Sequence, residues 1–85
     1  MDPKRAWAEM HLRHAPLEIM TASREQLLRV PGIGPKTVDA ILHARRQRRI
    51  REISQLRKLR IWTPEQVAPY ILLDGQSAAR QMSLF

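Results

Sequence analysis

The segment Val30-Pro31-Gly32-Ile33-Gly34-Pro35-Lys36 constrains this chain more than any other. Pro31 fixes its own φ and lacks an N–H, so a helix running into it stops there, while Pro35 is suited to the first position of a new helix. Between them Gly32 and Gly34 can adopt positive φ and carry no side chain. The segment therefore reads as two helices joined by a tight turn of bare backbone. Ser23 with Gln26 three residues on is a capping-box pattern that opens the first helix, which carries Leu27 and Leu28 up to Pro31-Gly32. The second starts at Pro35 and runs through Val38, Ile41 and Leu42, spaced for one apolar face, to about Arg48.

Upstream, Asp2 as N-cap and Pro3 at the first position begin a helix to about Arg13, with Ala6, Trp7 and Met10 on one face. His14-Ala15-Pro16 ends it, and Leu17 to Met20 is a short extended connector in which Leu17 and Ile19 alternate with Glu18. Downstream, a shift of 29 residues lays Leu27 on Leu56, Val30 on Leu59, Pro35 on Pro64, Val38 on Val67 and Leu42 on Ile71. The repeat predicts a helix from about Glu52 to Leu59 and another from Pro64, capped by Thr63, to about Leu72. Gly32 and Gly34 fall opposite Ile61 and Thr63, so the second turn is degenerate. After Asp74-Gly75 the residues become small and polar, and Gln76 to Phe85 is expected to be a flexible tail, leaving 1–75 as the folded domain.

Eighty-five residues supply one modest core and no separate catalytic lobe. There is no cysteine, which excludes disulfides, zinc fingers and iron-sulfur clusters held by this chain alone. No apolar run approaches the roughly 20 residues needed to span a bilayer and no signal-like segment follows Met1, so a soluble, cytoplasmic setting with no membrane partner is the expectation. The formal charge is +7. The excess is local, because Arg45, Arg46, Arg48, Arg49, Arg51, Arg57, Lys58 and Arg60 face only Glu52. Such a stripe favours a polyanion, nucleic acid being the usual one.

A phosphate needs N–H donors gathered at one point and chain that can approach closely. Gly32 and Gly34 meet both needs, and the N-terminal end of the helix opened by Pro35 adds about half a positive charge. Lys36 contributes a full charge and Thr37 a hydroxyl, while Ile33 between the glycines can turn inward as an anchor. The DNA-binding candidates are thus Gly32, Ile33, Gly34, Lys36 and Thr37, with Arg45, Arg46, Arg48 and Arg49 on the flanking backbone.

Over Leu27 to Leu42 the pattern of an apolar residue, Pro-Gly-apolar-Gly, then a helix with basic residues resembles the helix-hairpin-helix family of DNA repair, replication and competence proteins. The resemblance implies an all-α fold of about five short helices, a compact paired helix-hairpin-helix-like domain with a degenerate second hairpin. It also implies sequence-independent contact with duplex or single-stranded DNA through the amides around the two glycines. A second resemblance covers Asp2-Pro3-Lys4, Ala6-Trp7-Ala8, the Leu17 connector, Leu27 to Gly34 and Ala44-Arg45-Arg46. These are similar to the C-terminal domain of radical S-adenosylmethionine proteins associated with DNA modification or repair. It implies a fused or associated enzyme of that kind, with this chain as the DNA-targeting piece, non-catalytic and without a cofactor of its own.

Lys36 also stands where related DNA glycosylases place a Schiff-base lysine, but the aspartate they need some eighteen residues on is Ser54 here, and no second lobe is available to hold a flipped base. Lys36 is therefore read as a phosphate-facing charge, and no catalytic residue is assigned. His11, His14 and His43 are scattered, and no metal site is expected. Trp7 and Trp62 read as core or core edge rather than base-stacking, Trp62 with the weaker claim because it lies in the degenerate hairpin. The ending Gln81-Met82-Ser83-Leu84-Phe85 resembles the short peptide with which bacterial polymerases and repair proteins bind the sliding clamp, Gln81, Leu84 and Phe85 being its contacts. The alternative function is accordingly a protein-interaction module recruiting a repair or replication partner.

Overall fold

The computed structural model describes residues 2–83. Helix α1 spans Pro3–His11, capped by the Asp2 carboxylate on the Lys4 amide, and ends before Arg13. Strand β1, Leu17–Glu18, follows the proline-terminated loop. Helix α2 (Arg24–Leu28) carries the complete capping box, Ser23 accepting from the Gln26 amide and Gln26 Oε1 from the Ser23 amide. Helix α3 is Pro35–Ala44, four residues shorter than its apolar spacing suggests. Helix α4 is Ile53–Arg57 and α5 is Pro64–Val67.

The expectation of an all-α chain is corrected by a three-stranded sheet in the order β1-β2-β3. Strand β2, Ile71–Leu73, pairs parallel to β1 and antiparallel to β3, Gln76–Ser77. The cause lies at Pro69. A helix from Pro64 to Leu72 would place Pro69 in its interior, where it lacks the N–H and clashes with the preceding turn. The helix stops at Val67, Ala68–Tyr70 tightens into a 3-10 turn, and the chain leaves extended into Ile71. Asp74 and Gly75, with φ of 51° and 88°, then make the two-residue hairpin that positive φ at both central positions selects.

Gln76 onward is likewise not a loose tail through the described residues. β3 leads into helix α6 (Ala78–Met82), capped by the Ser77 hydroxyl on the Arg80 amide, and Ala78 is fully buried. The Glu18 carboxylate ties the sheet together by accepting from the amides of Met20, Asp74 and Gly75 at 3.0, 3.0 and 2.6 Å. β1 and the 74–75 turn, distant in sequence, are held as one unit by that side chain.

One core draws on every helix and on β1 and β2. Ile19, Leu27, Ile33, Ile41, Leu56 and Leu73 are each at most 1% exposed. Tyr70, almost fully buried, donates its hydroxyl to the Glu9 carboxylate and so fastens α1 to the far end of the chain. That hydrogen bond, helped by Arg13 and Arg5, holds the Glu9 carboxyl below the ordinary range, while burial and the same carboxylate push the Tyr70 phenol up. No helix among the described residues is long and apolar enough to cross a membrane.

Candidate nucleic-acid interface

The turn between α2 and α3, residues 29–34, is folded back on α2 by backbone hydrogen bonds, Arg29 N–H donating to Gln26 O at 3.1 Å. Val30 N–H donates to Leu27 O at 3.1 Å and Ile33 N–H to Val30 O at 3.0 Å. The two glycines then serve different ends. Gly32 has φ +91°, a left-handed value that side chains rarely adopt, and a Cβ there would stand 2.8 Å from Val67 Cγ2 and 3.3 Å from Gln66 Oε1. It is where the first hairpin packs onto α5, so the fold itself demands glycine. Gly34 is the N-cap of α3 in an extended conformation, φ −108° and ψ −176°, and nothing lies within 4 Å of where its Cβ would be. Neither strain nor space explains a glycine at that position.

Among the described residues, the amides of Gly32, Gly34, Lys36 and Thr37 donate to no protein acceptor, whereas Val38 N–H already returns to Gly34 O at 2.9 Å. The Lys36 and Thr37 groups belong to the first helical turn and point out of its N-terminal end, where the helix dipole is positive. Lys36 is exposed and forms no ion pair with the described residues.

Two residues proposed for this site are placed otherwise. The Ile33 side chain is buried, 1% exposed, its amide is spent on Val30, and its carbonyl accepts from Lys4 Nζ at 2.8 Å. It anchors the loop and offers a ligand no donor. The Thr37 hydroxyl turns inward toward Arg60 O at 3.4 Å, in a residue only 7% exposed, so its backbone amide is what it presents at the helix mouth.

The arginine run is divided as well. Arg45 Nη1 donates to Ala22 O at 2.7 Å and to Ile19 O at 3.3 Å, which makes it a clasp on the connector after β1. Arg49 and Arg51 both reach the Asp74 carboxylate at 3.1 Å. Arg46 and Arg48 are exposed and unpaired among the described residues. They lie beyond the C-terminal end of α3, about 15 Å along its axis from the hairpin. The structure therefore does not gather hairpin and arginine run at one point; they bracket α3.

Other cations stand nearer to the hairpin. Lys4, reaching from α1, contacts the carbonyl between the two glycines. Arg29 caps α2 with its guanidinium 5.2 Å from the centre of the Trp7 ring, and Trp7 in turn packs on His11. Lys4, Trp7, Leu28 and Arg29 line an open groove of about 230 Å³. Arg60, whose carbonyl meets Thr37, belongs to the second hairpin. One signal for Lys4 was present in the sequence: a cation in the first turn of α1 opposes the helix dipole, and so serves something other than that helix. Arg29 and Arg60 gave no such sign.

The C-terminal candidates are only partly within the described chain. Gln81 is held by the fold, its Oε1 accepting from Ile53 N–H at 3.3 Å and its Nε2 donating to Arg51 O at 2.7 Å. Leu84 and Phe85 lie outside the described residues. No group of three or more His, Asp or Glu side chains that could hold a metal is found among the described residues.

A search of the curated proteins and of the solved structures found no match. The family model described as the helix-hairpin-helix motif matches residues 17–44, about a third of the chain, from β1 to the last residue of α3. That match does not reach Asp2 to Ala8, so the similarity to radical S-adenosylmethionine proteins rests on the sequence resemblance alone. Residues 17–44 carry a helix-hairpin-helix motif, a motif that commonly binds DNA without regard to sequence, and its turn is the one whose amides stand open at the mouth of α3.

Proposed function

We propose that this chain is a non-catalytic module that binds DNA through its phosphate backbone, without reading sequence. The observation that carries the proposal is Gly34. A glycine required neither by its φ nor by its neighbours leaves bare backbone beside amides that have no acceptor in the described protein. A phosphate oxygen supplies the missing acceptors, and the helix end and Lys36 supply the charge. Lys4, Arg29 and Arg60 add positive charge nearby. Arg46 and Arg48 lie far enough along α3 to meet a second stretch of backbone. The two sequence resemblances favour a role in DNA repair or modification, with the module holding DNA for an associated enzyme of the radical S-adenosylmethionine type, and it is on them alone that this part of the proposal rests.

Salt dependence tests this reading. With Arg45 and Arg49 occupied internally, about four phosphates remain to be neutralised, by the hairpin, Lys36, Arg46 and Arg48. The logarithm of the binding constant for duplex DNA is then expected to fall against the logarithm of salt concentration with a slope of roughly −3 to −4. The slope should be the same for unrelated sequences. Affinity that does not change with salt, or that follows one sequence, contradicts the proposal.

A further inference from the structure

Trp62 is 69% exposed, against the expectation that it belongs to the core or its edge. Met10 is the other large apolar side chain so exposed among the described residues. Nearly every other large apolar side chain of the described residues finds cover, and an indole left in water forgoes one of the largest gains available from burial. The local fold explains how it comes to be outside. In the first hairpin the chain passes through a left-handed residue, Gly32, a buried anchor, Ile33, and an open residue, Gly34. The second hairpin repeats that order with Arg60 at φ 68°, Ile61 at 1% exposure, and then Trp62.

In the second hairpin the turn is closed by Ile61 N–H on Leu56 O at 3.2 Å, the six-to-one bond of a Schellman ending, and Arg60 occupies the left-handed position that glycine ordinarily fills. The anchor is thereby set one residue earlier relative to the following proline than in the first hairpin. Trp62 takes the outward position that Gly34 occupies in the first, with Thr63 as the extra residue before Pro64. An arginine thus stands in a left-handed turn, and the next outward side chain is an indole.

The two hairpins are neighbours. Arg60 O lies 3.4 Å from Thr37 Oγ1, and Gln66 and Val67 pack against Gly32. Arg57, Lys58 and Arg60, all exposed, form no ion pair with the described residues, and Glu65 is the one acidic residue from Ile53 to Tyr70. An exposed indole two residues from the exposed Arg60, on the hairpin that packs against a site for phosphate, has the makeup of a stacking platform for a nucleobase.

We propose that Trp62 stacks on an unpaired base, so that the preferred ligand is DNA in which a single strand continues from a duplex. The base must be unpaired because inside a duplex both of its faces are already covered, and only a single-stranded or terminal base has a face to offer. This inference rests on the DNA-binding reading of the first hairpin, which holds the backbone while the second hairpin takes the base. Stacking needs no hydrogen-bond readout, so the preference is for structure and not for sequence.

The test compares Trp62→Ala and Trp62→Phe with the unmodified protein on two probes, a blunt duplex and the same duplex with a single-stranded thymidine tail. The unmodified protein is expected to bind the tailed probe more tightly. Trp62→Ala should weaken binding to the tailed probe about tenfold and the blunt duplex far less, since only the terminal pairs of the blunt probe offer a face, while Trp62→Phe retains most of the preference. A Trp62→Ala protein that binds both probes as the unmodified protein does overturns the stacking role, and leaves the DNA-binding reading standing provided a Gly34 variant still loses both probes. If the unmodified protein binds neither probe at low salt, both readings fall.

Discussion

Gly34→Asp is expected to raise the thermal midpoint slightly while removing most of the affinity for DNA. Position 34 is the N-cap of α3, its backbone is extended, and the space around its Cβ is empty, so aspartate is accommodated without strain. As an N-cap, aspartate is better than glycine by a few tenths of a kcal/mol, or about 1–3 °C in a domain of this size. The same carboxylate would accept from the Lys36 or Thr37 amide and set a negative charge where the phosphate is to sit. It both consumes donors and repels the ligand, and a loss of affinity of roughly a hundredfold is expected on duplex at moderate salt. A residue serving only the fold cannot give those two signs together. Circular dichroism melting alongside a DNA titration of the same variant reads both.

Gly32→Ala should do the reverse, with its main effect on the stability of the fold. Position 32 combines φ +91° with a Cβ that would lie 2.8 Å from a side-chain atom of fully buried Val67. Left-handed backbone at a non-glycine residue costs about 1 kcal/mol, and pressing a methyl group into a packed contact about 1–3 kcal/mol more. The sum, roughly 2–4 kcal/mol, corresponds to a fall of about 10 °C or more in midpoint. A DNA-binding defect of this variant would combine lost packing between the two hairpins with displacement of the Gly32 amide, so the thermal midpoint is its diagnostic. A midpoint within a degree or two of the unmodified protein would show that the hairpins do not pack as described.

The contrast between these glycines marks where the sequence was informative and where it was not. Local signals were legible: Asp2-Pro3, the Ser23–Gln26 box and Pro35 each start a helix where they should, because caps and first-turn prolines act within a few residues. The helix-turn-helix geometry around Pro31-Gly32 was legible for the same reason. The sheet was not. Its parallel pair joins Leu17 to Ile71, and a pairing across that separation leaves no mark on either two- or three-residue strand. Asp74-Gly75 is a strong hairpin signal, yet the polar strand that follows it hid the turn behind a tail-like composition. Pro69 was the residue that should have shortened the fifth helix.

Within the site, charge was legible in amount and not in use. The arginine run looks uniform in sequence, but Arg45 is drawn onto two carbonyls near β1 and Arg49 onto Asp74, both across more than 20 residues of chain. Thr37 similarly has its hydroxyl claimed by Arg60 in the second hairpin. Long cationic side chains go where tertiary structure offers carbonyls and carboxylates, and only the folded chain shows which remain for a ligand. Lys4 came to the hairpin through the packing of α1, a contact that no spacing rule connects to Gly32 and Gly34.

The central claim is that four backbone amides at the start of α3 are donors awaiting a phosphate. Nitrogen-15-labelled protein titrated with a short blunt duplex, and then with one of unrelated sequence, addresses it at the atoms concerned. The amide protons of Gly32, Gly34, Lys36 and Thr37 are expected to move downfield, to saturate, and to follow the same course with both duplexes. If DNA binds while those four resonances stay in place and only amides around Arg46 and Arg48 respond, the hairpin is not the phosphate site.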